Sequence, residues 1–217
     1  MRTLVGKELD GFVEEIGVDA VYYENVKSIE EARKRLSNFS FPIVLKVSSK
    51  GQQGLPNKTD KEEKASIVKI ARNREEFTKR FNELLDEARE KKIKYEAVTM
   101  QEFVSGVELA LSLQKDPTFG HVIMFGFGGA FSDMHKDVAY RACPINDRDA
   151  GRMIEDLKSK KILKDGRMNL DLEKLRKALM KISKIPQKRR GLGEIGINPL
   201  IMNEDGLKAV NPRIVFD

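Results

Sequence analysis

Five places in the chain combine residue types and spacings that can do chemistry. Lys46 ends the run Phe41-Pro-Ile-Val-Leu-Lys46, so an ammonium emerges from a Val- and Ile-rich strand, where it can meet an anionic group such as a phosphate. Glu102 and Glu108 bracket the segment Gln101-Glu-Phe-Val-Ser-Gly-Val-Glu108, a strand–turn–strand in which a carboxylate can accept from hydroxyls. Gly126, Gly128 and Gly129 allow close backbone approach, and the N–H groups of such a loop can hold phosphate or carboxylate. Asn198, ahead of Pro199, offers a hard carbonyl oxygen of the kind Mg²⁺ accepts. Asp133, His135 and Asp137 alternate at strand spacing and share one face, as an acid–base or metal cluster would. Each has a plainer reading: a surface lysine, two exposed carboxylates, a tight turn, a turn-forming Asn and a polar strand face.

The elements that must position these residues follow from periodicity. Leu4, Leu9, Phe12, Val13 and Ile16 recur at helical spacing after Thr3, an N-cap candidate, and Gly17 closes the helix. Ser28 and Glu31 form a capping-box signature for a second helix, and Asn73 caps a long third one carrying Phe77, Phe81, Leu84 and Ala88 on one face. Strands are predicted at 20–23, 41–47, 65–71, 95–102, 107–113, 121–125 and 138–141. Asp147 and Asn169 are cap candidates for two later helices, the second stopped by Pro186, and two last strands flank Asp205-Gly206. Residues 48–63 lack periodicity and form a long loop, of a kind that is commonly functional. The class is α+β, or mixed α/β, with two subdomains at 1–100 and 101–217.

Composition narrows the function classes. In 217 residues, 40% hydrophobic and 34% charged, there is enough apolar chain for a real core. Cys143 is the single cysteine, so no intramolecular disulfide or Cys-x-x-Cys metal site exists. The two histidines, His121 and His135, exclude a His-rich metal centre. No apolar run reaches membrane-spanning length, and the start has no signal-like apolar stretch, so cytoplasm is the expected location. The net charge of +6 permits nucleic-acid binding, but the basic residues are not interleaved with aromatics, so nucleic acid is not an expected partner.

Taken in order, Phe41–Lys46, Gln101–Glu108, Asp116-Pro-Thr-Phe-Gly120, Phe125-Gly-Phe-Gly-Gly-Ala-Phe131 with Lys136-Asp-Val138, and Ile197-Asn-Pro-Leu200 resemble the ATP-grasp domain of the β subunit of ADP-forming acyl-CoA synthetases, relatives of succinyl-CoA synthetase. The resemblance covers nearly the whole chain, and its most specific part is the Asp-Pro-x-Phe-Gly and Gly-x-Gly-Gly pair. It implies an ATP-grasp fold with two subdomains around a nucleotide cleft. ATP or ADP and Mg²⁺ would be the cofactors, and a CoA-binding α-type subunit the partner. By resemblance, Lys46 and Lys58 contact the nucleotide phosphates, the chain from Glu102 through Val104 reads adenine, and Glu108 faces the ribose. Asn198 and Asn211 stand at metal positions, and Arg141 and Asp133 are catalytic or phosphate-transfer candidates.

Three departures matter. Asn57, in Asn57-Lys58-Thr59-Asp60, stands where the family usually has a histidine proposed as a phosphate relay, and an amide has no nucleophilic ring nitrogen. Gly196 and Asn211 replace acids, removing two negative charges from a possible Mg²⁺ site. Glu194, close by, is a possible substitute. The sequence therefore supports a ligase subunit that binds nucleotide, with a non-catalytic or regulatory paralogue as the alternative. A basic nucleic-acid-binding domain ranks last.

Overall fold

The computed structural model describes residues 2–48, 66–129, 137–166 and 168–217. The chain begins with a short strand β1 (Arg2–Thr3), helix α1 (Lys7–Glu15) and strands β2 (Asp19–Ala20) and β3 (Tyr23–Val26). Helix α2 (Ile29–Arg35) follows, then β4 (Ile43–Ser48), β5 (Ser66–Ala71), helix α3 (Arg74–Glu90) and β6 (Val98–Glu102). Next come β7 (Val107–Asp116), β8 (Gly120–Phe127) and β9 (Val138–Ala142). Helices α4 (Asp147–Glu155), α5 (Lys161–Lys164) and α6 (Leu172–Lys188) precede β10 (Leu192–Asn203), β11 (Gly206–Ala209) and β12 (Pro212–Phe216).

Two compact units result. The smaller comprises residues 21–48 and 66–104 among those described. Its four-stranded sheet runs β3-β6-β4-β5, with every neighbouring pair antiparallel. Ile43, Leu45 and Val47 alternate into a core with Val98 and Met100, closed by Phe77, Phe81 and Leu84 of α3. Each fully buried side chain of this size contributes about 1.5–3 kcal/mol, so the apolar face of α3 fixes it to the sheet. Both predicted caps form here: Ser28 Oγ accepts from Glu31 N at 3.2 Å, and Asn73 Oδ1 accepts from Glu76 N at 2.8 Å.

The larger unit holds residues 2–20 together with the described residues from 105 onward. Its main sheet path is β1-β12-β10-β7-β8-β9, with β11 joining β10 to β2. Leu109, Leu111, Leu113, Ile123 and Phe125 face Phe12 and Val13 of α1, Met153 and Ile154 of α4, and Leu179 and Ile182 of α6 within one core. Grouping the first 20 residues here differs from the sequence division at 1–100 and 101–217. The cause is pairing: Arg2 and Thr3 lie opposite Phe216 and Val215, and Asp19 and Ala20 run beside Lys208 and Ala209.

Local details also differ from the sequence reading. Thr3 is a strand residue, and α1 starts at Lys7 after Gly6, which has no side chain to cap it. The cap of α4 is Asn146, in a reciprocal capping box with Asp149. The cap of α6 is Asp171, whose Oδ1 accepts from Lys174 N at 2.9 Å. Pro186 lies inside α6, close to its end, where one missing N–H is outweighed by burial of Ile182 and Ile185. β12 was not among the strands assigned from periodicity, whose last ones flank Asp205-Gly206. No helix among the described residues is long and apolar enough to cross a membrane.

Candidate functional site

In the smaller unit, the alternation that sends Ile43, Leu45 and Val47 inward places Lys46 on the opposite face of β4. β6 brings Thr99 opposite Lys46 and Gln101 opposite Val44, so these polar side chains share that face. Lys46 is only 9% exposed, and its Nζ donates to Gln101 Oε1 at 3.2 Å. Thr99 donates onward to Asn25 Oδ1 at 2.8 Å. Burial pushes the Lys46 ammonium down to about 8. A buried ammonium that donates to the Gln101 amide oxygen is suited to an incoming anion. Glu102 ends β6 as an exposed carboxylate whose backbone N–H donates to Tyr22 O at 3.0 Å. Val104 follows, half-buried, past the strand end.

In the larger unit the ladder is interrupted at the Asn-Pro step. Ile197 pairs with Leu111 and Leu200 with Leu109, so β10 holds one more residue than β7 between these pairs. The bulge falls at Asn198-Pro199, and Asn198 Oδ1 is buried without a hydrogen-bond partner among the described residues. Gly128 lies against it: a Cβ there would come 2.9 Å from Asn198 Oδ1 and 2.6 Å from Leu109 O. Gly128 N donates to Glu108 O at 2.9 Å. Gly129 has φ +65°, and a Cβ on it would come 1.5 Å from Glu108 Oε2. Glu108, the Gly128-Gly129 turn and Asn198, from three strands or their ends, therefore meet in one place, and only glycine fits the turn.

Other candidates lie elsewhere. Arg141 sits opposite Ile123, a core residue, so it belongs to the helix-covered face of the sheet; it pairs with Asp156 and donates to Tyr140 O at 2.7 Å. That is the opposite face from Glu108, and the structure does not bring the two together. Asp137 is 5% exposed and accepts from Lys158 N at 2.7 Å and Ser159 N at 2.8 Å. Burial disfavours its charge, but these backbone N–H groups outweigh that and hold its carboxyl below the usual range. Asp137 is thus spent on fixing the chain ahead of α5. Asp133, His135, Lys58 and Asn57 lie outside the described residues. His121 contacts Leu192 O at 3.0 Å, and Cys143 packs on the core, where burial pushes its thiol up to about 11.

Asn211 is half-buried immediately before β12. Gly196 lies directly opposite Arg213, which pairs with Glu194. Glu194, the possible substitute acid, is therefore already engaged through Oε2, while its Oε1 is buried without a partner. Neither this pair nor Gln101 was assigned from sequence. Strand alternation between Lys46 and its neighbours on β6 was the available signal for Gln101, but it needs the register of β4 against β6. Among the described residues no group of three or more His, Cys, Asp or Glu could hold a metal. What the site offers is an unpartnered buried amide oxygen beside a Gly turn. That fits Mg²⁺ held mainly by nucleotide phosphates and not by a carboxylate cage.

Two helix-covered sheets fit an ATP-grasp domain, and comparison bears that fold out. A family model described as ATP-grasp domain matches residues 1–216, and the chain belongs to that family. It is 31% identical to the ADP-forming acetate–CoA ligase I of Archaeoglobus fulgidus over 98% of this chain but 31% of the relative, so it spans under a third of that protein. It is 28% identical to the β subunit of ADP-forming acetate–CoA ligase I from Pyrococcus furiosus, covering 99% of this chain and 92% of the subunit. Among solved structures, acetyl-coenzyme A synthetase 1 of Ca. Korarchaeum cryptofilum, in complex with coenzyme A and Ca-AMPCP, superposes with TM-score 0.78 at 30% identity, covering 100% of this chain and 94% of that one. The same enzyme with Mg-AMPPCP, its phosphohistidine segment pointing towards the nucleotide binding site, gives TM-score 0.71 at 30% identity over 99% and 93% of the two chains.

Proposed function

We propose that the chain is the nucleotide-binding, β-type part of an ADP-forming acyl-CoA ligase, exchanging phosphate between ATP or ADP and a CoA-binding α-type partner. The observation that carries this reading is the meeting of Glu108, Gly128-Gly129 and the unpartnered Asn198 Oδ1. A structural Asn in a turn has its carbonyl satisfied, whereas this one is buried and idle beside a turn that excludes any side chain.

In this reading Lys46 takes the nucleotide phosphates. Its ammonium, already stripped of water, regains its charge preference when an anion arrives. Glu102 through Val104 contact adenine, and the Glu108 carboxylate accepts from the ribose hydroxyls. Asn198, with Asn211, would hold Mg²⁺, which would supply positive charge for the transferring group. Lys58, in the long loop, is assigned to the phosphates on the family pattern alone. Arg141, ion-paired with Asp156, is better placed as a partner or structural contact than as a phosphate ligand. Asp133 keeps its candidacy as a transfer residue from the family pattern. Asn57 cannot carry phosphate, so the phosphorylated group belongs to the partner.

The test is calorimetric titration of ADP and ATP with and without Mg²⁺, followed by acyl-CoA synthesis with a CoA-binding partner. Binding, and ATP-dependent thioester formation abolished by Lys46→Ala, is the expected result. Nucleotide binding without turnover would instead mark a regulatory paralogue, and no binding under any condition would sink the assignment.

A further inference from the structure

Helices α3 and α6 have the same length, 17 residues, and each packs an apolar face on a sheet, yet they treat charge in opposite ways. α3 carries four cations against six carboxylates, net −2, and pairs them along itself. Arg80 meets Glu83 at 2.9 Å and Arg89 meets Asp86 at 2.9 Å, while Lys91, one residue past its end, meets Glu87 at 2.6 Å. α6 carries six cations against one carboxylate, net +5, within a chain whose total is +6.

Five of those six cations fall on a single stripe. Lys174, Lys177, Lys181, Lys184 and Lys188 recur at intervals of three, four, three and four, which is one face of a helix, about 21 Å long. Lys177 has a carboxylate partner, Glu173 Oε1 at 2.6 Å. Among the described residues the other four have none within 4.0 Å. The sixth cation, Arg176, lies off the stripe and pairs with Asp147. Like charges at these spacings repel and weaken the helix that carries them. α3 shows that this chain neutralises a helix where nothing else is asked of it.

The stripe borders a groove of about 320 Å³ shared with the C-terminal end of α1. Its floor is apolar, from Ile16, Ala178 and Met180, and four of the lysines rim it. Lys181 Nζ reaches to 3.3 Å from where a Cβ on Gly17 would lie, next to the end of α1. No aromatic side chain and no arginine lines the groove. The stacking platforms that hold single-stranded nucleic acid, and the guanidinium forks that grip phosphate, are therefore missing.

We propose that the lysine stripe of α6 and the groove beside it dock an acidic, amphipathic helix of a partner protein. A facing helix with Glu or Asp at three- and four-residue intervals repeats at the same pitch, so carboxylates and ammonium groups meet in register over about 14 residues. Apolar side chains beside those carboxylates fill the groove floor. The proposal stands apart from the nucleotide reading and holds whether or not this partner is the one that receives phosphate.

Two fluorescein-labelled peptides of about 15 residues with identical composition test it, one with its glutamates on a single face beside leucines and one scrambled. Fluorescence anisotropy against the full chain reads affinity. The striped peptide is expected to bind at least about tenfold tighter than the scrambled one, and to lose about tenfold between ~0.05 M and ~0.3 M salt. The triple variant K177E/K181E/K184E is expected to lose binding, and K177Q/K181Q/K184Q to lose part of it, with circular dichroism unchanged. Should the reversal variant misfold, the neutral variant carries the test. Nucleotide titration in the same variants stays at the parental value, which separates failure here from failure of the nucleotide assignment. Equal affinity for striped and scrambled peptides, or no binding by either, overturns the proposal. So does displacement of the striped peptide by single-stranded RNA at matched charge, which would give the stripe to nucleic acid.

Discussion

The smaller unit keeps a cation at a cost, while the larger unit has given up anions. Lys46 is buried and donates to the amide oxygen of Gln101, and burial pushes its ammonium down to about 8. At the proposed metal positions, Asn198 and Asn211 are neutral and Gly196 has no side chain at all. The nearest acid in the strand, Glu194, is engaged by Arg213. A chain drifting away from nucleotide would be expected to discard the buried cation first, because that group destabilises the fold. On the proposed reading, a buried Lys46 in one unit and neutral groups at the metal positions of the other are what a chain kept for binding nucleotide more than for the speed of transfer would show.

Replacing Lys46 is the strongest test of that contrast. Lys46→Met is expected to lower ADP and ATP affinity by about 100-fold, equivalent to about 2.7 kcal/mol, while raising the stability of the ligand-free protein by about 1–3 kcal/mol. Calorimetry and thermal melting read the two effects separately. A variant that lost both affinity and stability would make Lys46 an ordinary structural residue and erase the asymmetry between the units.

The same lysine gives a pH signature. Its folded value, about 8, lies below the ordinary lysine value of 10.5, so between those values the unfolded chain binds more protons than the folded one. Stability of the ligand-free protein is therefore expected to rise with pH across that window, with the whole cost present below about pH 8. In Lys46→Met this rise disappears. Bound nucleotide restores the charge, so binding near pH 8.5, an order-of-magnitude choice, takes up a fraction of a proton. Titrations in buffers of different ionisation enthalpy measure it, and zero uptake would contradict an ammonium–phosphate contact.

On the larger unit, Gly129→Ala tests whether the turn must stay bare. With φ +65° the added Cβ costs about 1–2 kcal/mol from backbone strain, and it also displaces the Glu108 carboxylate. The expected result is a lower melting temperature with nucleotide affinity reduced about tenfold. Glu108→Gln, which removes charge without strain, separates the two causes: it should weaken nucleotide binding and leave the melting temperature nearly unchanged.

Much of this arrangement was legible before any coordinates. Ser28, Glu31 and Asn73 announce their caps because capping is local, and the Val- and Ile-rich run through Val47 announces the buried strand that carries Lys46 on its other face. Reading failed where partners are distant in the chain. Thr3 looked like a cap because its strand partner, Val215, lies at the other end of the sequence. Pro186 looked like a stop because the burial of Ile182 and Ile185 that holds α6 together is tertiary. Asp137, with Asp133 and His135, read as an acid–base or metal cluster or, more plainly, a polar strand face, but the backbone of Lys158 and Ser159 claims its carboxylate. The β10 bulge that isolates Asn198 depends on the register of β10 against β7, which no local pattern states.

The smallest expected effect is also the one that sharpens the contrast furthest. Asn211→Asp restores a negative oxygen where the family usually has one, and Gly196→Asp would place a carboxylate directly opposite Arg213. The first should raise the Mg²⁺ dependence of nucleotide affinity by about three- to tenfold, since a carboxylate is a charged hard ligand and an amide is not. The second should do less, because Arg213 is at hand to pair with the new acid just as it pairs with Glu194. Comparing both variants in Mg²⁺ titrations with ADP held fixed therefore orders the two lost acids. If Gly196→Asp gains more than Asn211→Asp, Arg213 does not neutralise this strand, and the weakness of the metal side rests on the missing acid of β10 and not on the amide before β12.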